Sequence, residues 1–577
     1  MNTQDSDSLT QHALLVLWGQ FAQSLGLVTA LMQLPLAQKT YTHRPQTKVM
    51  EFLLAVLAGL PYLKDLSKAA HPLDEDTVVA HAWGQTGWAD YSGVSRTLSA
   101  LTSADVQRIQ AVFSQVSRPF IDREVMLAMR QSGRLVFDLD LSGRPVSRRS
   151  TTYPEATFGH MDDGIQFGYQ AAIVSLHSPT YGRICLSASH HPGNTHSSTL
   201  LPALVAAAEA QTGVRPRRRT DLLRQRLDAL SLLQQSKQTL VDQQQVHLQR
   251  QQEKLQALAG RWQEQQTVLS HLPAAGPARQ RARAQQCLDR LSVAQRRQEK
   301  VIATAQRGLG RHQHALQAVQ AEHRVLSDRL AQFELDNAQL TTPVSAIIRV
   351  DAGFSTSENL ALLIEAGYEV YTKPCSAQII SVLLRRLPAD AIWTAVGADV
   401  EMTACEPGPV GDCPYALDIA LGRVKVDERW EHIGLLHYGA DPVASQLPEW
   451  FQSYNARQTI EAGIKEGKQV FQMHHLKVRT APALEFQECC AAFAANFVRW
   501  AAHWLEQAPD PTAVSGMSIK TQVQVLAHTS ALIVVGTDGY VAHFTAQSVL
   551  AGKTLTAPVV AVQCPLPFYT TRSFAPN

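Results

Sequence analysis

The stretch from Trp450 to Lys468, WFQSYNARQTIEAGIKEGK, constrains the fold and chemistry of this chain more than any other. Its chemically active side chains are those of Tyr454, Arg457, Glu461 and Lys468. On one α-helix at 100° per residue, the last three lie at about 300°, 340° and 320° from Tyr454, within roughly a 60° sector. The spacing therefore predicts a helix that presents an aromatic ring, a guanidinium, a carboxylate and an amine on one face.

The opposite face of this predicted helix is bare. Gly463 and Gly467 fall at about 180° and 220° from Tyr454, although glycine disfavours a helix interior. A face without side chains can lie close against a sheet, which would offset that cost. The alternative is an ordinary solvated helix with a few charged residues.

The pattern Tyr-x2-Arg-x3-Glu-x6-Lys resembles the Y-R-E-K signature of a large group of bacterial insertion-sequence transposases, and all four positions match. The resemblance implies that Glu461 is the third acid of an Asp-Asp-Glu (DDE) metal site. It also implies that Tyr454, Arg457 and Lys468 hold DNA phosphates. Two further Asp residues are then expected upstream, each at the end of a β-strand.

A candidate for the first acid lies in RLVFDLDLSG, residues 134–143, an apolar run typical of a strand. Asp138 and Asp140 alternate onto the same face of that strand. Two more predicted strands, 165–176 and 182–189, and a helix over 197–211 follow, which is the opening of an RNase H-like fold. We assign the first acid to Asp140, with Asp138 as its main rival.

The second acid is expected at Asp351. Residues 346–350 form a predicted strand that ends at Asp351, and a helix to about Ala366 and a strand over 368–372 follow. Such a βαβ unit favours adjacent parallel strands. The context Arg-x-Asp-Ala-Gly-Phe, residues 349–354, also resembles that of the second catalytic Asp in these transposases.

Residues 216–337 interrupt the sheet pattern with two long helical stretches. Leucines recur near heptad spacing, as in an antiparallel coiled-coil hairpin. They are Leu222, Leu230, Leu233, Leu240, Leu248, Leu255 and Leu258. Pro273 and Pro277 separate the two arms. We expect a structural or dimerisation device, with DNA binding along an Arg-bearing face as the alternative. Without this insertion, the interval between Asp140 and Asp351 suits a sheet and a helix.

Composition is that of a globular protein: 577 residues, 45% hydrophobic, 18% charged, net charge +2. The eight Cys include no CxxC pair, so neither a zinc knuckle nor a disulfide framework is indicated. Apolar runs are too short for a membrane span and no signal peptide is seen, so we expect a cytoplasmic protein.

The predicted fold is α/β: an RNase H-like catalytic core interrupted by a long α-helical coiled-coil hairpin. The predicted divisions are an N-terminal helical, DNA-binding domain over 1–130, the core over 131–215 and 338–505, the insertion over 216–337, and a small β-rich region over 506–577. Within the first, a weak helix-turn-helix pattern would expose Ser95, Arg96 and Thr97.

The resemblance implies a DNA transposase that cleaves transposon ends and transfers them into target DNA. Asp140, Asp351 and Glu461 would hold two Mg²⁺ ions, with Mn²⁺ tolerated, because hard carboxylate ligands suit these metals. The partners would be double-stranded DNA, as terminal inverted repeats and target, and a second copy of the chain. Trp450 is the candidate platform for a flipped base, against ordinary packing.

Three other functions remain open at this point. An inactive or domesticated DNA-binding descendant would keep the fold and lose the chemistry. An RNase H-like nuclease would use the same metals without pairing two DNA ends. A structural coiled-coil protein would need neither.

Overall fold

The structure of this protein is a computed structural model. It describes residues 8–36, 42–149, 153–161, 164–273, 278–426, 429–441, 443–475, 477–536 and 539–558. The chain forms two compact units: Met1–Pro216 together with Thr342–Asn577, here called the main unit, and Arg217–Thr341, the helical hairpin. The predicted fold class is confirmed at the level of a mixed α/β chain with two long helices and a mixed sheet.

The α-helices of the main unit before the hairpin are α1 Ala13–Ser24, α2 Leu27–Met32, α3 Pro45–Leu57, α4 Asp65–Lys68, α5 Thr77–Ala82, α6 Tyr91–Ser99, α7 Ser103–Ser132 and α8 Ser197–Thr212. The hairpin consists of α9 Thr220–His271 and α10 Ala278–Ala338. The helices after it are α11 Ser357–Glu365, α12 Ala377–Arg386, α13 Leu447–Asn455, α14 Gln458–Gln469, α15 Ala481–Leu505 and α16 Ile519–Gln524. Among the described residues, no helix combines the length and apolar character needed to cross a membrane.

The strands, all in the main unit, are β1 Ser8–Thr10, β2 Arg134–Pro145, β3 Thr157–Met161, β4 Gly164–Ser178, β5 Gly182–Pro192, β6 Ser345–Arg349, β7 Glu369–Thr372, β8 Thr394–Gly397, β9 Val400–Gly408, β10 Leu417–Val426, β11 Arg429–Tyr438, β12 Ala531–Gly536, β13 Gly539–Phe544 and β14 Thr554–Thr556. Short 3-10 helices cover Leu73–Glu75, Ala352–Phe354, Val443–Ser445, Pro511–Ala513 and Leu526–His528.

Ten strands form the large sheet, in the order β3-β4-β2-β6-β7-β11-β10-β9-β8, with β5 also paired to β4. The strand β4 runs antiparallel to both of its neighbours, β2 and β5, whereas β6 and β7 run parallel to β2. The four strands from β8 to β11 extend the sheet as antiparallel neighbours. Along β2, Leu135, Phe137 and Leu139 are buried on one face, so the alternating Asp138 and Asp140 share the other.

The N-terminal helices α3 and α7 pack on α15, and residues 1–130 belong to the main unit. Aromatic rings make this contact. Stacked pairs join Phe113 to Phe493 at 4.3 Å, Phe120 to Trp500 at 4.2 Å and Phe21 to Trp504 at 5.0 Å between ring centroids. Such pairs stabilise beyond the area they bury. The aromatic face of α15 is thus core.

A second sheet in the order β1-β12-β13-β14 accounts for the predicted β-rich C-terminal region. Its edge strand, β1, comes from the N-terminus and pairs with β12. The region is therefore not built from residues 506–577 alone. The β character expected from 559 onward lies outside the described residues. In the N-terminal region, Arg96 is exposed on α6, whereas Ser95 and Thr97 are half-buried.

In the helical hairpin, α9 and α10 run antiparallel, as shown by Gln244 Nε2 donating to the Ala305 carbonyl at 3.1 Å and Gln298 Nε2 to the Gln251 carbonyl at 2.9 Å. The buried residues of α9 are Leu223, Leu227, Leu230 and Val241. Those of α10 are Ala284, Leu288, Ile302, Ala305, Gly308, Leu316, Leu326, Phe333 and Asp336.

The predicted leucine register of α9 is wrong in part. Leu230 is buried, but Leu233 and Leu240 are 41% and 38% exposed. The doublets Leu222-Leu223 and Leu232-Leu233 allow two registers, and the observed one continues from Leu223. Pro273 follows α9 directly, whereas Pro277 lies outside the described residues.

Glu51 on α3 gives a stability prediction because it is fully buried and its carboxylate accepts the Ala89 N–H at 3.0 Å. Burial raises the pKa of Glu51 to about 9, against the smaller opposing effect of that hydrogen bond. Because the folded pKa lies above the unfolded one, folding takes up a proton between about pH 4.5 and 9. Below that window Glu51 does not reduce the free energy of unfolding. As pH rises through the window, the free energy of unfolding falls by at most about 1.4 kcal/mol per pH unit.

Glu51→Gln mimics the protonated form, so the variant should unfold at a higher temperature than the parent at pH 8 to 9, and the difference should vanish near pH 4.5. The measurement is the thermal unfolding temperature of parent and variant between pH 4.5 and 9. The control is Glu75→Gln, at an exposed position. Parallel pH profiles for Glu51→Gln and the parent would contradict the assignment.

Candidate active site

Asp140 and Asp351 lie at the same level on neighbouring parallel strands. The pairing of β2 with β6 aligns Asp138 with Arg349, and each candidate acid lies two residues further along its own chain. The pairing of β6 with β7 aligns Arg349 with Tyr371. Lys373, two residues after Tyr371, therefore lies at the same level as Asp140 and Asp351. Asp351 lies two residues beyond the end of β6, whereas Asp140 lies within β2, which continues to Pro145. The expectation that each acid ends a strand is therefore wrong for Asp140.

Asp138, the rival for the first acid, is 1% exposed and engaged in a two-point ion pair with Arg349. Arg349 Nε donates to Oδ1 at 2.6 Å and Nη2 to Oδ2 at 2.8 Å, while Nη1 donates to the Ser453 carbonyl at 2.9 Å. Both oxygens of Asp138 are thus occupied in holding β2, β6 and α13 together. Of the two strand acids, Asp140 is the one that lies outside this ion pair.

Residues 450–468 form two helices rather than the single predicted one. The helix α13 ends at Asn455 and α14 begins at Gln458, and the turn between them is closed by bonds from Arg457 N to the Tyr454 carbonyl at 3.0 Å and from Ile460 N to the Arg457 carbonyl at 2.9 Å. These i→i+3 bonds tighten the turn at a helix end. Glu461 consequently lies in the first turn of α14, where the helix dipole favours a carboxylate.

Arg457 joins two of the three acids. Its Nη2 lies 2.9 Å from Asp140 Oδ1 and its Nη1 lies 3.1 Å from Glu461 Oε1. A further bond runs from Nη2 to the Leu139 carbonyl at 3.3 Å. Arg457 is 5% exposed, whereas the side chain of Glu461 is 58% exposed. A buried fixed cation therefore balances the acids at the sheet edge.

The electrostatics of Asp140 indicate a cluster of like charges. Burial raises its pKa to about 6; Arg457 lowers it, and Asp351 and Glu461 raise it further. Its Oδ1 also accepts the Leu141 N–H at 2.9 Å. Repulsion among neighbouring carboxylates is what a bound cation relieves. The three predicted acids are thus electrostatically coupled.

Asp351 is half-buried and holds its own turn. Its Oδ1 accepts the Gly353 N–H at 3.0 Å, which caps the 3-10 helix Ala352–Phe354. Its backbone carbonyl accepts the Thr372 hydroxyl at 3.3 Å, a bond across to the end of β7. The Asp-Ala-Gly sequence is therefore both a common turn and a carrier of the acid at the strand end.

Lys373 is the site residue that sequence reasoning missed. Its ammonium lies 5.3 Å from the ring centroid of Tyr454, within reach of a cation–π contact. Burial lowers its pKa, as does Arg457, while Glu461 and Asp351 oppose that change. The signal that could have found it is its position directly after a parallel strand, level with both acids.

The predicted DNA-binding residues lie in different environments. Trp450 is 1% exposed and Tyr454 5% exposed, and both belong to a core cluster with Ile347, Tyr371, Met402, Ala420, Leu435, Val443 and Leu447. Trp450 thus shows the ordinary packing that was the alternative to base stacking. Lys468 is half-buried at the end of α14, about 10 Å along the axis from Glu461.

The bare glycine face of α14 is occupied by Arg183 from β5. A Cβ on Gly463 would lie 2.5 Å from Arg183 Nε, whereas on Gly467 it would lie 3.4 Å from Met473 Sδ. Arg183 donates to the Thr459 carbonyl and pairs with Glu466, both at 3.1 Å. The predicted close approach to the sheet is therefore found at Gly463.

The donor set of Asp140, Asp351 and Glu461 consists of hard oxygen ligands, the type that Mg²⁺ prefers. As the side chains stand, no group of three His, Cys, Asp or Glu within the described part of the chain is arranged to hold a metal ion. The bridging position of Arg457 explains this, since its guanidinium lies against two of the three. Exposed Glu461 can change rotamer at low cost. The three carboxylates thus have the ligand chemistry that suits a divalent cation. In this structure, Arg457 neutralises two of them, Asp140 and Glu461.

No family model matches the sequence, and no curated protein matches it either.

Substitution at Gly463 should displace the Arg183 guanidinium from its contacts with Thr459 and Glu466. We expect Gly463→Ala to cost about 1–3 kcal/mol in unfolding free energy through overpacking against Arg183. Gly467→Ala is the matched control on the same helix face; its contact is ordinary and the helix propensity improves, so stability should hold or rise slightly. Chemical denaturation measures both, and equal effects of the two changes would contradict the close approach.

Proposed function

We propose that this protein is a DNA transposase that cleaves phosphodiester bonds at transposon ends and transfers them to target DNA, using divalent cations. The observation that carries the proposal is the level placement of Asp140 and Asp351 on adjacent parallel strands, with Glu461 tied to Asp140 through Arg457. The Y-R-E-K spacing that led to Glu461 is independent of this placement.

The proposed core is RNase H-like. Supporting it, the strand order β5-β4-β2-β6-β7 has three antiparallel strands followed by two that run parallel to β2. In the proposal, β8 to β11 are an insertion between the second Asp and Glu461. The helical hairpin is a coiled-coil insertion between the two Asp residues, supported by the regular spacing of its buried residues.

Asp140, Asp351 and Glu461 would hold two Mg²⁺ ions, with Mn²⁺ as a substitute. When bound, such ions activate the attacking oxygen and stabilise the leaving oxygen of a phosphodiester. Arg457, once its carboxylate partners bind cations, has a planar guanidinium available for a DNA phosphate. Lys373 supplies a second cation beside the acids, and its ammonium lies over the ring of Tyr454 at 5.3 Å from the centroid.

Proposed partners are duplex DNA carrying terminal inverted repeats, target DNA, and a second copy of the chain. The test is incubation of the full chain with Mg²⁺ and labelled duplexes from the DNA flanking its gene. We expect end cleavage and strand transfer, lost in Asp351→Asn and Glu461→Gln. Cleavage without transfer would instead indicate a nuclease, and binding without cleavage an inactive descendant.

The choice between the two strand acids has its own outcome. Asp140→Asn should fold and lose cleavage. Asp138→Asn should lose about 3–5 kcal/mol of stability, because it leaves Arg349 buried without its partner charge. Denaturation of the two variants measures this contrast. A stable Asp138→Asn protein without activity, beside an active Asp140→Asn protein, would reverse the assignment.

The raised pKa of Asp140, about 6, predicts how the metal requirement depends on pH. Only the deprotonated carboxylate binds a cation, so protons compete with Mg²⁺ below pH 6. The Mg²⁺ concentration for half-maximal cleavage should rise about tenfold per pH unit below 6 and be nearly constant above 7. Titrations of Mg²⁺ from pH 5 to 8 measure it; a flat dependence would contradict metal binding by Asp140.

A further inference from the structure

The positive charge of this protein is concentrated in the helical hairpin. Residues 217–341 contain 20 Arg and Lys against 11 Asp and Glu, a formal charge of +9, whereas the whole chain carries +2. The remainder of the chain is therefore at −7. Within the hairpin, residues 250–311 hold 12 of the basic residues and only 4 of the acidic ones. The half of the hairpin that includes its tip thus carries +8 of the +9.

The arginines of this distal half lie on the outer side of α10. Arg283, Arg290, Arg297 and Arg311 are all exposed and separated by multiples of seven residues. Arg290 follows the buried Leu288 by two residues, about 200° around the helix and away from α9. The other three share that helix face, because seven residues are nearly two full turns. Further exposed basic residues near this face are Arg279, Arg296, Lys300 and Arg307.

The proximal half of the hairpin is different, because three of its arginines pair with acids on α10. Arg218 lies 2.9 Å from Asp336, Arg224 lies 2.6 Å from Glu334, and Arg226 lies 2.8 Å from Glu322. Arg224 and Arg226 join α9 to α10, and Arg218 joins the segment just before α9 to α10, so these three arginines hold the base of the hairpin together. The outer row on α10 has no acid at its own heptad position between 283 and 311, where the remaining position is Thr304.

The ligand that fits such a row is a regular array of phosphates. Seven residues of helix rise about 10.5 Å, and the row from Arg283 to Arg311 extends about 42 Å. That length corresponds to about 12 base pairs of duplex DNA at 3.4 Å per step. Guanidinium groups bind phosphate oxygens through paired hydrogen bonds. A straight helix face can lie along a stiff duplex, whereas a flexible single strand has no fixed spacing to match.

Aromatic residues of the hairpin also argue against unpaired bases as the ligand. Residues 217–341 contain only Trp262 and Phe333. Phe333 is buried, and Trp262 is half-buried at a position in register with the buried Val241. Single-strand binding relies on exposed rings on which bases stack. The hairpin therefore offers phosphate contacts and no stacking platform.

We infer that the outer face of α10, centred on Arg283, Arg290, Arg297 and Arg311, is a second DNA-binding surface that holds the backbone of duplex DNA without reading its sequence. The choice of DNA as the polyanion rests on the function proposed above. The surface itself lies outside the candidate active site and needs no metal. A protein that lacks this DNA-binding surface could still cleave DNA, and a protein that lacks catalysis could still bind through it. The two proposals can therefore fail independently.

The test measures binding of the full chain to a fluorescent 30-base-pair duplex of arbitrary sequence, by anisotropy in EDTA over a series of salt concentrations. The variant changes Arg283, Arg290, Arg297 and Arg311 to Gln. We expect affinity to fall at least about tenfold near 0.1 M salt, and the slope of log K against log salt to fall by about 3 to 4, since each phosphate contact contributes about 0.9.

The matched control changes Arg217, Arg219, Lys237 and Arg324 to Gln, which removes the same formal charge from the proximal half and leaves the three ion pairs across the hairpin intact. It should keep both the affinity and the slope of the parent. Circular dichroism and thermal unfolding verify that both variants are folded. Equal losses in the two fourfold variants would overturn the inference in favour of general charge attraction. Tighter, equally arginine-dependent binding of a single-stranded 30-mer or an RNA duplex would overturn the choice of duplex DNA.

Discussion

The buried ion pair between Arg349 and Asp138 is the contact on which the candidate site depends. It joins β2 to β6 and, through the Ser453 carbonyl, fixes α13 against both strands. Buried ion pairs are often no more stable than apolar packing, yet breaking one is costly. Here the ion pair fixes the register between β2 and β6. Asp140 and Asp351, each two residues after a member of the pair, are thereby placed at the same level. The same contact positions the turn that carries Arg457.

Arg457 offsets the charge repulsion that this register creates among the three acids. Three carboxylates at one sheet edge repel one another, and burial adds to the cost of charging Asp140. The guanidinium between Asp140 and Glu461 offsets the repulsion in the absence of another cation. In the proposed function, the same side chain exchanges its acids for a phosphate. In that proposal, the site gives up some stability in exchange for cation binding, as functional sites often do.

Much of this arrangement was predictable from local patterns. The alternation of Asp138 and Asp140, the βαβ pattern around Asp351 and the spacing of Glu461 all depend on short-range periodicity. What could not be predicted depends on contacts between distant residues. Distinguishing Asp138 from Asp140 required knowing that Arg349 lies opposite Asp138. The burial of Trp450 depends on β7, β10 and β11, and the merging of the N-terminal helices with the core depends on α15.

Other differences have local causes that the sequence leaves ambiguous. The break between α13 and α14 involves no glycine or proline, so helical periodicity continued through it. Leucine doublets in α9 allowed two registers for the hairpin. Lys373 could not be predicted, because a single lysine after a strand matches no sequence motif. Its role emerges only when three parallel strands are aligned.

The most direct test of the proposed metal site is anomalous diffraction from crystals of the full chain grown with Mn²⁺. We expect anomalous density bounded by Asp140, Asp351 and Glu461, with Arg457 withdrawn from both of its carboxylate partners. Saturating Mn²⁺ that leaves Arg457 between Asp140 and Glu461, with no anomalous density at the three acids, would contradict it.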